Sequence, residues 1–188
     1  MIINEGGKVF SDVVPFDQKQ IKKIQKPIDS VLNSIGAKSR PIGSGATPRS
    51  GYMSGDLDVI VDADKIQGHF NSKDIPDARK DLRALFDKAG LQTAQTGNSV
   101  HVRVPLGKEA HQVDIMIVPN AEIAAGFHTH EIPKDSPYKG KHKQIAMAYL
   151  AKNHPKNLKW SPYKGIVDRK SNELISSNLD EIAKILIG

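Results

Sequence analysis

The sequence predicts an α+β domain: a mixed or antiparallel sheet with flanking helices. Two patterns carry that expectation. Apolar residues alternate with polar ones at Leu57, Val59 and Val61 and again at Val100, Val102 and Val104, the period of half-buried strands. They recur at helical spacing at Ile21, Ile24, Ile28, Val31, Leu32 and Ile35, and at Ala78, Leu82, Leu85, Phe86 and Ala89. With 188 residues, 38% of them hydrophobic, the chain can bury one core. A single domain over 1–188 is expected, with its central part over about 17–119 and a helical and hairpin extension over 120–188.

In chain order, Lys8 to Val14 reads as a strand, and Asp17 as the cap of a helix that Pro27 should kink and Gly36 should end. Asp56 to Val61 is a strand leading through Asp62 and Asp64 into a polar connection. A helix over Asp77 to Ala89 follows, stopped by Gly90. Leu91 to Thr96, a Gly97-Asn98 turn, Ser99 to Pro105, a Gly107-Lys108 turn and His111 to Val118 make antiparallel strands. Ser136-Pro137 looks like a helix start, with Asn153 to Pro155 as its end. Ile166-Val167 should pair with Leu174-Ile175 across Lys170 to Asn172. Asn178 and Glu181 then open a last amphipathic helix, expected as a lid on the core.

Composition narrows the function. The chain has no cysteine, which excludes disulfides and Cys-ligated zinc or iron–sulfur sites. It has no apolar run of membrane-spanning length, and its first residues lack the charge order, apolar core and cleavage site of a signal peptide. A soluble, cytoplasmic protein with no membrane partner is expected. The net charge of +6, with lysines crowded at Lys19 to Lys26, Lys134 to Lys143 and Lys152 to Lys170, favours polyanionic partners, nucleic acid or nucleoside triphosphate. Solvated lysine faces would give the same composition.

The stretch richest in chemistry is Pro41 to Asp64. A small, turn-forming run from Gly43 to Gly55 delivers the chain into a strand on which Asp56 and Asp58 share the face opposite Leu57, Val59 and Val61. Two carboxylates so placed, after a loop rich in backbone N–H groups, suit a divalent cation carrying a polyphosphate. A lone carboxylate, Asp114, stands on a later apolar strand whose neighbours on the same face, Met116 and Val118, are apolar. A lysine, a hydrogen-bond network or a metal must compensate it, and the availability of Asp56 and Asp58 favours a metal.

Gly43-Ser44, then Asp56-Leu57-Asp58-Val59 after a spacer ending in Ser54-Gly55, then Val113-Asp114-Ile115, together resemble the nucleotidyltransferase superfamily that includes DNA polymerase beta. The resemblance covers about Ile42 to Pro119. It implies the polymerase-beta-like palm fold, with Gly43 and Ser44 meeting the triphosphate and Asp56, Asp58 and Asp114 as the catalytic aspartates holding Mg²⁺ or Mn²⁺. Arg49 looks like the arginine placed near the leaving phosphates, although the spacer is slightly longer than in the polymerases and contains Pro48. The implied reaction moves a nucleoside monophosphate from an NTP or dNTP to an acceptor hydroxyl with release of pyrophosphate. A nucleic-acid 3′ end is the favoured acceptor. Adenylylation of a small molecule or a protein, and a non-catalytic nucleotide- or nucleic-acid-binding module, are the alternatives.

Three features of the tail complete the inventory. Lys141, with Lys139, Lys143 and His142 near a helix start, could point at a triphosphate or form a basic solvated turn. His128 and His130 lack any zincin spacing and read as surface or hydrogen-bonded histidines. Ser-Pro-Tyr-Lys-Gly occurs at Ser136 and at Ser161 with unrelated flanks, which indicates shared turn chemistry.

Overall fold

Strand β1 (Phe16–Asp17) ends in a capped turn: the Asp17 carboxylate accepts from the Lys19 amide at 2.8 Å, and a 3-10 turn leads into helix α1 (Ile21–Asn33). The computed structural model in which this is seen describes residues 8–49, 51–128 and 140–188. Contacts divide the chain into two units, Met1–Pro119 and Asn120–Gly188. Helix α1 continues past Pro27 and buries Ile21, Ile24, Ile28 and Leu32, the stripe that the spacing predicts.

The first unit then lays down β2 (Arg40–Pro41), β3 (Met53–Ser54), β4 (Asp56–Asp62), α2 (Ala63–Phe70), α3 (Ile75–Lys88), β5 (Gln92–Thr96), β6 (Ser99–Leu106) and β7 (Glu109–Val118). Five of the strands form a mixed sheet in the order β2-β4-β7-β6-β5, with β4 and β7 parallel and the other neighbours antiparallel. The architecture is therefore α+β. Leu57, Val59, Val61, Val100, Val102, Val104, Val113 and Ile115 are buried with α1 residues and with Ala78, Leu82 and Phe86 of α3 in one apolar cluster. Burying an apolar sheet face against amphipathic helices is the stabilising core of this unit.

Two expectations fail here. Lys8 to Val14 is not a strand but a bent segment. Val14 makes a backbone bond to the Ala110 carbonyl at 2.9 Å, while Phe10 and Val13 pack on Ala110 and Asp12 turns outward to Arg103. The connection after Asp64 is not irregular. It contains α2, whose Ile66 is fully buried, and α3 starts at Ile75 because Asp74 accepts from the Asp77 amide at 2.9 Å.

The second unit contains α4 (Ala121–His128), α5 (Gly140–Asn153), β8 (Leu158–Ser161), β9 (Gly165–Asp168), β10 (Leu174–Ser176) and α6 (Leu179–Ile187). The predicted β9–β10 hairpin is present, and β8 adds a third antiparallel strand that the sequence did not suggest. The second Ser-Pro-Tyr-Lys-Gly is the β8–β9 turn, with the Lys164 amide bonded to the Ser161 carbonyl at 3.2 Å. The first, with the proposed Ser136-Pro137 helix start, lies outside the described residues except for its Gly140, where α5 begins. Gly165 has φ +108°, and a Cβ there would stand 2.2 Å from the Ser176 carbonyl oxygen, so only glycine fits. The unit has its own apolar cluster: Phe127, Ala151, Leu158, Trp160, Ile166 and Ile182. Helix α6 covers that cluster. Asn178 caps α6 by accepting from the Asp180 and Glu181 amides at 2.9 and 3.1 Å. Among the described residues no helix is long and apolar enough to cross a membrane.

Candidate active site

Strand register assembles the site. Parallel pairing of β4 with β7 sets Asp58 opposite Asp114 and Asp56 opposite Gln112, while antiparallel pairing of β7 with β6 sets His101 opposite Asp114 and Arg103 opposite Gln112. Because alternate residues share a face, Asp56, Asp58, Gln112, Asp114, His101 and Arg103 all lie on the side of the sheet away from the core. The apolar faces of the same strands anchor this polar row from beneath.

The three aspartates crowd one another. Asp58 is half-buried, and its carboxyl is pushed up to about 7, first by burial and then by the charges of Asp56 and Asp114. Asp56 is also raised, by burial and by Asp114, against smaller opposing contributions from a backbone hydrogen bond and His101. Such like-charge crowding is what a bound divalent cation would relieve, and three carboxylates are a hard-oxygen donor set that fits one. The side chains do not form a cage: among the described residues, no three His, Asp or Glu side chains are arranged so that they could hold a metal ion.

Asp114 is where the surroundings differ from expectation. Met116, Val118 and Ala110 are apolar residues on the same face of its strand, but Gln112 directly precedes it on that face, and Asp58 and His101 flank it across the sheet. The hydrogen-bond network is present. Asp114 Oδ1 accepts from the Gln112 side-chain amide at 2.9 Å and pairs with His101 Nδ1 at 2.8 Å. His101 Nε2 meets the Thr96 hydroxyl at 2.6 Å, and Gln112 Oε1 accepts from the Val9 amide at 2.9 Å. His101 is 5% exposed and Gln112 1%, so both are built in. Sequence reasoning passed over His101, although a signal was there. A two-residue Gly107-Lys108 turn pairs Leu106 with Glu109, and counting back along the hairpin places His101 opposite Asp114.

No protein-family model matches the chain, and no curated protein matches it.

The turn before β4 reaches the same end of the sheet. Gly43 to Gly45 form a 3-10 turn, and the Ile42 amide donates to the Asp58 carbonyl at 3.0 Å, so the turn begins beside the Asp58 backbone. Gly43 takes φ +57°, open to glycine, and Gly43 and Ser44 are exposed. The expected row of open amides is shorter than the sequence suggests. Those of Gly45, Ala46 and Tyr52 are bonded to the carbonyls of Ile42, Gly43 and Arg49, and Gly43 and Ser44 begin the turn. Arg49 stacks its guanidinium over Tyr52, 5.7 Å from the ring centre, and donates its backbone N–H to Gln18 Oε1 at 2.7 Å. Gln18 Nε2 donates to Ser54 Oγ at 3.0 Å, and Ser54 stands 3.5 Å from Ser44 Oγ. Gln18, buried and overlooked in the sequence, thus ties both ends of the loop to the start of α1.

Of the remaining candidates, Lys141 lies on α5, but its side chain is outside what is described, as are Lys139 and His130. His128 ends α4 with its ring tilted against Tyr163 at 5.4 Å.

Proposed function

We propose that the chain is a metal-dependent nucleotidyltransferase with a polymerase-beta-like palm, working in the cytoplasm on a nucleoside triphosphate and a nucleic-acid 3′ hydroxyl. The observation that carries the reading is the set of Asp56, Asp58 and Asp114 on adjacent parallel strands, with Asp56 and Asp114 both raising the proton affinity of Asp58 and a Gly-Ser turn attached to the Asp58 backbone. The α+β sheet packs its helices on the face opposite these carboxylates.

Asp56, Asp58 and Asp114 would hold Mg²⁺ or Mn²⁺, which when bound supplies Lewis-acid polarisation and lowers the pKa of an acceptor hydroxyl. The chain's own residues do the rest. The Gly43 and Ser44 amides orient the phosphates, and Arg49 offsets charge gathering on the departing pyrophosphate. The acceptor oxygen forms its bond to the α-phosphorus as the bond to the bridging oxygen breaks, and the hydroxyl proton passes to Asp114. A non-catalytic nucleotide-binding module is the second reading, favoured by the absence, among the described residues, of side chains already arranged around a metal position.

Incubation with each α-labelled NTP and dNTP, Mg²⁺ or Mn²⁺, and single-stranded and duplex oligonucleotides tests the proposal on a gel. Label moving onto the oligonucleotide, and lost in Asp58→Asn, supports it. Triphosphate binding without transfer to oligonucleotide, small molecule or protein supports the module.

A further inference from the structure

We propose that His101 is a positioning residue for Asp114, holding its Oδ1 so that the other carboxylate oxygen faces the site; the inference rests on the metal reading above. Three observations converge. His101 and Gln112 both place nitrogen on the same oxygen, at 2.8 and 2.9 Å. Each of these groups is itself oriented. Val9 donates to Gln112 Oε1, which turns the Gln112 amide nitrogen toward Asp114. The Thr96 hydroxyl stands 2.6 Å from His101 Nε2; when it donates there, Nδ1 is the ring nitrogen that carries the proton and donates to the carboxylate.

The outcome is a chain of donors, Thr96 to His101 to Asp114, built into the β5–β6–β7 part of the sheet by its register. Asp114 Oδ1 is therefore held from two sides by groups that are themselves oriented. Hydrogen-bonded partners of a ligating carboxylate are commonly worth about 10–100-fold in metal affinity.

The test is Mn²⁺ affinity, read from the spin-resonance signal of free Mn²⁺, on the full chain and on four variants, with thermal melts to show which are folded. His101→Leu, which fills the space and cannot donate, should bind Mn²⁺ at least about tenfold more weakly. His101→Asn keeps a donor near the Nδ1 position and should stay within about threefold of the wild type. Thr96→Val, at an exposed position, replaces the hydroxyl with a methyl group and covers the case in which His101→Leu fails to fold; it too should bind more weakly. Asp58→Asn should bind none. If Asp58→Asn loses Mn²⁺ while folded His101→Leu, or Thr96→Val, binds as the wild type does, the positioning role is overturned and the metal site stands. Equal loss in folded His101→Leu and His101→Asn overturns the donor role. Absence of Mn²⁺ binding in the wild type overturns both the inference and the reading beneath it.

Discussion

Asp58 and Asp114 stand opposite one another on parallel neighbouring strands, yet only Asp114 is given donors. The asymmetry determines where a proton goes. In the folded chain Asp58 titrates near 7, against an ordinary value of 3.8, so between those values the folded state holds a proton that the unfolded state has lost. Stability should fall as pH rises through that window.

Asp58→Asn removes this dependence. Relative to the wild type, the variant should be more stable at pH 8 by roughly 1–2 kcal/mol, allowing for solvent screening, or about 2–6 °C in Tm, with the difference closing toward pH 4. Melting curves of both proteins from pH 4 to 8 in a chelating buffer check this. A constant offset across that range would mean that Asp58 is not the group that titrates.

The loop bearing Gly43, Ser44 and Arg49 should depend on a residue outside it. Gln18→Ala leaves the Arg49 amide and the Ser54 hydroxyl without their partner and should cost about 1–3 kcal/mol in stability. If the turn orients a triphosphate, the same variant should raise the KM for nucleotide more than it lowers kcat. Denaturant unfolding together with steady-state kinetics would reveal both effects.

In the second unit, Gly165→Ala should be far more damaging than any surface change. The backbone conformation excludes a side chain, and the added carbon would meet the Ser176 carbonyl. Loss of about 3 kcal/mol or more is expected. Hydrogen exchange should show amides of β8 to β10 losing protection while those of β4 and β7 keep theirs; uniform loss over both units would contradict the placement of the strain.

How far the sequence disclosed this arrangement follows from how local each signal is. The strands of Val100 to Val104 and His111 to Val118 were legible because period-two alternation was punctuated by two-residue turns, and both survive as β6 and β7. Helix α1 was legible for the matching reason, four buried residues at helical spacing behind a capping aspartate. Helix α2 was not: it spans only Ala63–Phe70, is anchored by Ile66 and contains Gly68, too little for a period to show. The alternation of Lys8 to Val14 misled because a strand needs a partner along its length, and this segment gains a single backbone bond at Val14. The face around Asp114 was misjudged because it was read along one strand. What surrounds a strand residue is set across the sheet, where register brings Asp58 and His101 to its sides.

The most direct measurement of the central claim is calorimetric titration of Mn²⁺ into the wild type and into Asp58→Asn at pH 8, where the wild-type carboxyl is ionised. Saturable binding by the wild type, abolished in a variant that melts cooperatively, is the predicted result. Equal binding by the two proteins, or none by either, would contradict a metal site at Asp56, Asp58 and Asp114.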